Sequence, residues 1–256
     1  MHNPHAVNQP GDGPDRRIAL VDLGRGVALI AMTGFHFCWD LAMFRQIDPL
    51  LMTQPGMVWF ARSIAGSFLF LAGFSLYLAH GRGVRWRGFA LRLLTIAAAA
   101  ALITLATWFA TPNAFIFFGI LHSIAVASVL GLAFMRLPWQ VTAAAGAFVV
   151  SSRLIGLHSA ALDAPWWWWS GLSQFLPVSN DYVPIFPFFG MVLLGIAAAR
   201  AAVENDLLRL LAKPRLADGP SRLLRFIGRH SLVYYLAHQP AMIAILYAYL
   251  KLTGRI

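Results

Sequence analysis

The chain is poor in charge and nearly devoid of cysteine. Only 12% of its 256 residues are Asp, Glu, Lys or Arg, against 59% hydrophobic, which excludes the ordinary soluble globular class, where about a quarter of residues are charged. The single cysteine, Cys38, excludes an intrachain disulfide and a cysteine-built metal site. Acidic residues are scarce, 10 against 20 Lys plus Arg. In a soluble protein that excess would suggest nucleic acid. Here the basic residues fall between apolar runs, as the positive-inside rule predicts, and nucleic acid is not an expected partner. No two histidines share metal-ligand helix spacing with an acidic partner, so no metal site is expected. There is no repeat of domain size. The echo of Gly24-Arg25-Gly26-Val27 in Gly81-Arg82-Gly83-Val84 lacks the spacing of a phosphate-binding loop.

Long apolar runs dominate what is there, and the mean hydropathy is +0.66. Runs of spanning length extend from Arg16 to Phe44, Gly56 to Ala79, Phe89 to Ala110, Ala114 to Met135, Pro138 to Leu157, Val183 to Ala202 and Leu224 to Leu250. They predict an all-α integral membrane protein, a bundle of about seven transmembrane helices. Arg82, Arg85 and Arg87, then Arg136, then the basic residues from Arg200 to Arg225 fall in alternate loops. This places the N-terminus in the cytoplasm, in a multi-pass protein of the inner (cytoplasmic) membrane. Residues 1–15 read as a disordered cytoplasmic tail. They are not a signal peptide, because Asp22 and Arg25 interrupt the run that follows. Residues 16–256 form one membrane domain. The stretch from Leu157 to Asn180 is too broken by Pro and polar residues to span and is expected on the outer surface. Its Trp166 to Trp169 serve either as interfacial belt or as an aromatic platform for a sugar ring.

The first run carries Asp22, Arg25, Thr33, His36 and Asp40 within a stripe roughly 80° wide on a helix. Asp22 and Asp40 lie roughly 27 Å apart along the axis, so the stripe crosses most of the bilayer and must face protein or a wet cavity. Asp22 and Arg25, at i and i+3, suit a structural ion pair. The last run repeats the pattern, with His230, Tyr234 and His238 on one face and Gln239 alongside. Pro240 frees the carbonyl of Leu236. Depth along each helix brings His36, His122, His238, Asp40 and Asp181 toward one outward cavity. Asp181, before Tyr182 and Pro184, also suits the N-cap of the sixth helix. At the other membrane face, Arg25 and Arg92 extend the basic stretch from His80 to Arg92 inward as a track for an anionic donor such as the phosphates of coenzyme A.

Several of these residues form a pattern. Asp22-x-x-Arg25-Gly26 with Phe35-His36 and Asp40-Leu41, Phe118-Gly119-Ile120-Leu121-His122, Asp181-Tyr182-x-Pro184-x-x-Pro187, Gly228-Arg229-His230-Ser231 and Tyr235-Leu236-x-His238-Gln239-Pro240 together resemble the bacterial branch of the heparan-alpha-glucosaminide N-acetyltransferase catalytic family, within the wider clan of membrane acyltransferases. The resemblance runs from Arg16 to Tyr249. It implies transfer of an acyl group, usually acetyl, from cytoplasmic acetyl-CoA or another acyl-CoA to an amine or hydroxyl of a sugar or envelope glycan. The lysosomal branch places its active-site histidine between the first two helices. The stretch from Arg45 to Gly56 has none, so the base falls to His36 or His122.

The resulting expectation is a membrane-bound acyltransferase in which His36 is general base and Asp40, at i+4, orients it. His122 and His238 complete the catalytic set; Asp181, Tyr182, His230, Tyr234 and Gln239 meet the acceptor; Arg25 and Arg92 hold the donor. The partners are the lipid bilayer and a glycan, and the bundle suits either a monomer or a homodimer. The competing reading is a proton-coupled transporter or flippase in which the same groups relay protons.

Overall fold

The computed structural model describes residues 19–208 and 219–255, all helical apart from loops and one isolated bridge between Phe118 and Tyr182. The N-terminal tail and the middle of the last basic loop lie outside the described residues. The helices are α1 (Ala19–Met43), α2 (Pro55–His80), α3 (Trp86–Ala110), α4 (Ile120–Gly131), α5 (Trp139–Ser151), α6 (Ile185–Glu204), α7 (Gly219–Arg229) and α8 (Ser231–Leu252). Among the described residues, α1, α2, α3 and α6 are long and apolar enough to cross a membrane. The helices over Ile120–Phe134 and Trp139–Ser151 are apolar but shorter.

Helix α6 sits at the centre, packed against α2, α4 and α5. Its Val192, Leu193 and Ile196 are almost wholly enclosed, with Leu69 and Leu76 of α2 and Ala127 of α4. Glycine permits these approaches. A Cβ on Gly73 would strike the carbonyl of Val192, and one on Gly195 the carbonyl of Phe70, so α2 and α6 pack backbone to backbone, as helices do where lipid offers no hydrophobic drive to associate. The outer surface is the inverse of a soluble protein's: Leu94, Phe109, Leu154 and Ile245 are exposed, as a hydrocarbon solvent allows.

Three of the expected spans are built differently, the fifth simply by ending early: it is helical over Trp139–Ser151 and breaks into turns before Leu157. The fourth begins at Ile120 and not at Ala114, because Phe115 to Gly119 run extended beside 180–183. There Asn180 N–H donates to Ala114 O at 2.9 Å and Val183 N–H to Phe118 O at 3.1 Å. Non-helical backbone is tolerated where protein satisfies it. The expected seventh span is two helices. His230 breaks the run at φ −101°, ψ 29°, and α7 lies across α1 with Gly26 against the carbonyl of Leu224 and Gly228 against that of Asp22.

The segment 157–180 contains only 3₁₀ turns, over Ala160–Leu162 and Pro165–Ser170. Asp163 organises it. Its Oδ1 accepts from Ser173 Oγ at 2.9 Å and Gln174 N at 2.8 Å, and its carbonyl accepts from the Trp168 indole at 2.9 Å. Trp168 is thus a fixed part of the loop, whereas Trp166, Trp167 and Trp169 stay exposed.

Candidate active site

Four members of the polar stripe of α1, Asp22, Thr33, His36 and Asp40, meet α7 or α8, while Arg25 turns to Ser75 of α2. Asp22 Oδ2 meets Arg229 Nε at 3.4 Å and its Oδ1 meets Arg25 at 3.5 Å. Thr33 Oγ1 and the Tyr234 hydroxyl are 2.9 Å apart, His36 Nδ1 and His238 Nε2 2.8 Å, and Gln239 Nε2 donates to Asp40 Oδ1 at 2.6 Å. A stripe that could not face lipid has found a matching stripe.

The two imidazoles stack with centroids 5.0 Å apart, and a backbone carbonyl sets their tautomers. His238 Nδ1 is 2.7 Å from the carbonyl of Tyr235. A carbonyl only accepts, so Nδ1 of His238 carries the hydrogen. In the neutral pair Nε2 of His238 is then the acceptor and His36 Nδ1–H the donor. The lone pair of His36 is thereby placed on its Nε2, which has no hydrogen bond among the described residues. The hydrogen goes to Tyr235 O and not to the Leu236 carbonyl that Pro240 releases.

Other expected members are placed elsewhere. Asp40 does not orient His36: it is fully buried and bonded to Gln239, because i+4 spacing puts it a full turn further along, against the next residue of α8. His122 has both ring nitrogens engaged. Gly119 N–H donates to its Nδ1 at 3.2 Å and its Nε2 faces Thr104 Oγ1 at 3.1 Å, so His122, in the first turn of α4, reaches back to the N–H of the residue that precedes the helix. Asp181 caps a helix, though not α6, which opens at Pro184 without a side-chain cap. Asp181 Oδ2 accepts from Ile120 N at 2.9 Å, at the first turn of α4, and from the Tyr235 hydroxyl at 3.5 Å. Burial raises the Asp181 carboxyl above its ordinary range, and those two hydrogen bonds oppose the shift. The Tyr182 hydroxyl donates to Trp168 O at 2.7 Å, and burial raises it likewise. His230 is exposed at the α7–α8 junction, its Nδ1 2.9 Å from Phe226 O. It does not join Tyr234 and His238, because the helix breaks there.

The expected outward cavity of histidines and carboxylates is not what forms. The large cavity, about 780 Å³, lies at the end of the bundle that carries the α2–α3 loop. Arg25, Arg85, Arg92 and Arg229 line it with one carboxylate, Asp22, which pairs with Arg25 and Arg229, so the excess charge is positive; Leu29, Phe68, Ile96, Leu121 and Tyr235 line its apolar part. Arg25 donates to Ser75 Oγ at 2.6 Å. Arg92 has no hydrogen-bond or ion-pair partner among the described residues. Arg25 and Arg92 were legible in the sequence. Arg85 belongs to the basic stretch from His80 to Arg92 read as a donor track, and Arg229 to the Gly228-Arg229-His230 motif; Ser75 carries no signal in the sequence. Tyr235, part of the Tyr235-Leu236-x-His238 motif but not among the expected site residues, is shared by every part: it lines the cavity, its hydroxyl reaches Asp181 and its carbonyl holds His238.

Chemically, the arrangement offers a multiply cationic cavity with an apolar end, and an oriented imidazole seven residues beyond Leu29, roughly 10 Å further along α1. Among the described residues no three metal-type side chains gather. Comparison with known proteins agrees with a membrane enzyme. The family model described as Heparan-alpha-glucosaminide N-acetyltransferase, catalytic, matches residues 17–240. No curated protein and no solved structure matched the chain.

Proposed function

The chain belongs to the heparan-alpha-glucosaminide N-acetyltransferase catalytic family, a family of membrane acetyltransferases, and from that premise we propose that it moves an acetyl group from acetyl-CoA to an amine or hydroxyl of a sugar or envelope glycan. The observation that carries this reading is the cavity of about 780 Å³ with four arginines that shares Tyr235 with the His36–His238 pair. Its volume is that of a cofactor-sized site. Guanidinium groups suit phosphate oxygens, and the apolar part suits a pantetheine arm.

On this reading the arginine end faces the cytoplasm, as the positive-inside rule assigns the α2–α3 loop. Arg25 and Arg92 bind the donor phosphates, with Arg85 and Arg229 beside them. His36 Nε2 accepts the proton of the acceptor amine or hydroxyl as that group attacks the thioester carbonyl. Collapse of the tetrahedral adduct breaks the carbon–sulfur bond, the coenzyme A thiolate leaves, and the proton on His36 passes to it or to solvent. His238 keeps His36 in the tautomer this step needs.

The test is release of free coenzyme A by the purified full chain given acetyl-CoA and a pool of amino sugars and glycan fragments. Acceptor-dependent release, lost in His36→Ala, is expected. Absence of both release and acetyl-CoA binding would overturn the reading and favour transport, which uptake by proteoliposomes without an acyl donor would then reveal.

A further inference from the structure

Asp40 and Gln239 join α1 to α8 in a way that leaves a proton to be accounted for. The Asp40 side chain is fully enclosed, and Gln239 donates from Nε2 to its Oδ1 at 2.6 Å. Two oxygens then remain buried without a donor, Oδ2 of Asp40 and Oε1 of Gln239. Asp40 has no ion-pair partner among the described residues. The nearby imidazoles of His36 and His238 are bonded to each other and to the Tyr235 carbonyl. An ionised carboxylate here would be a buried charge with one neutral hydrogen bond and nothing to compensate it, among the most expensive arrangements an interior can hold. Two orphaned acceptors on side chains already bonded to each other would add to that cost.

We propose that Asp40 is a neutral carboxylic acid in the folded protein, joined to Gln239 as a cyclic acid–amide pair: Oδ1 accepts the Nε2 hydrogen while Oδ2–H donates to Oε1. One proton, taken up from solvent as the chain folds, satisfies both orphaned oxygens and removes the charge. Both groups are planar with donor and acceptor side by side, so the second bond requires only that the two planes align.

The pair is a clamp and not a base. Asp40 lies one turn beyond His36 on α1, and Gln239 directly follows His238 on α8, so the pair sets the register at which the two imidazoles meet. Asp40 and Gln239 are therefore positioning residues. This role rests on the reading of His36 as base; the protonation of Asp40 does not.

Infrared difference spectra of the full chain in lipid bilayers at neutral pH, wild type minus Asp40→Asn, test the protonation directly. The expected result is a carboxylic-acid carbonyl band in wild type that moves in D₂O, disappears in Asp40→Asn and shifts in Gln239→Leu, where the amide partner is gone. A difference spectrum without that band, or a band unmoved by Gln239→Leu, overturns the pair. Gln239→Leu should also lower kcat by roughly tenfold or more, as loss of an orienting neighbour does, with the KM for acetyl-CoA unchanged; an unchanged kcat overturns the positioning role. The spectra need no acyl donor, so the two failures are separable. The band with no acetyl transfer by wild type would retire the acetyltransferase reading alone, and transfer without the band would retire the pair alone.

Discussion

His36 and His238 meet across the α1–α8 interface with Nδ1 of one 2.8 Å from Nε2 of the other, and the Tyr235 carbonyl behind His238 fixes which of them donates. A histidine held this way differs from one merely buried: its free lone pair is on a known atom. The consequence for catalysis follows from that one directed bond.

If His36 Nε2 is the general base, His36→Ala should lower kcat by roughly 10²–10⁴, the usual worth of such a group. Coenzyme A release under saturating donor and acceptor measures it. Activity within about threefold of wild type, from protein that binds acetyl-CoA normally, removes His36 from the mechanism.

In the proposed mechanism His238 acts through His36. His238→Phe keeps an aromatic ring beside His36 but deletes the acceptor nitrogen, freeing His36 to take the wrong tautomer. A loss of about 10- to 100-fold in kcat is expected, with the KM for acetyl-CoA unchanged. A rise in KM at constant kcat would instead make His238 a binding group.

Arg92 faces the cavity with no partner among the described residues, so a phosphate would gain it a charge-assisted hydrogen bond. Replacement by Leu should weaken acetyl-CoA binding by about 1.5–3 kcal/mol, roughly 10- to 150-fold in Kd. Calorimetry on protein in detergent reads this, and wild-type binding should weaken as salt is raised. Equal affinities for Arg92→Leu and wild type would place the donor elsewhere.

At Gly228 a Cβ would collide with the carbonyl of Asp22, and backbone cannot yield as a flexible side chain can. Gly228→Ala should destabilise by about 1–3 kcal/mol and separate α7 from α1. A lower thermal unfolding midpoint, with weaker acetyl-CoA binding because Arg229 shifts, is the expected pairing. An unchanged midpoint would show that the helices slide apart at no cost.

Asp181 gives a pH signature. Its carboxyl is raised in the fold by burial, so the folded state holds its proton more tightly than the unfolded chain does. Its contribution is fully present below the ordinary value of 3.8 and is lost as pH rises through the raised value. Unfolding midpoints of wild type should therefore fall relative to those of Asp181→Asn as pH climbs from about 4. Parallel profiles would refute the shift. Asp181→Ala also removes the cap of α4, at a cost of about 0.5–2 kcal/mol.

What the sequence determined by itself was whatever depends on the solvent and on one helix's periodicity. Long apolar runs cannot be dissolved in water, so the all-α membrane class was legible. The 100° step put Asp22, Thr33, His36 and Asp40 on one face of α1, and each meets α7 or α8 there. Arg25 and Arg92 were legible as cavity residues because both are arginines set into apolar helices, where a cation must be drawn to something. Pairing across elements was decided only by tertiary structure. Spacing along α1 made Asp40 a partner for His36, but the register of α8 gave Asp40 to Gln239 and His36 to His238. Proximity in sequence made Asp181 a cap for α6; the extended segment before Ile120 brought it to α4, with His122 folded into the same turn. His230 fell out of line because a break in backbone dihedrals, invisible to a periodic count, separates α7 from α8. Periodicity fixes which side of a helix a residue occupies, whereas its partner depends on how far a neighbouring helix slides, and that is set by close approaches such as Gly26 on Leu224 and Gly228 on Asp22.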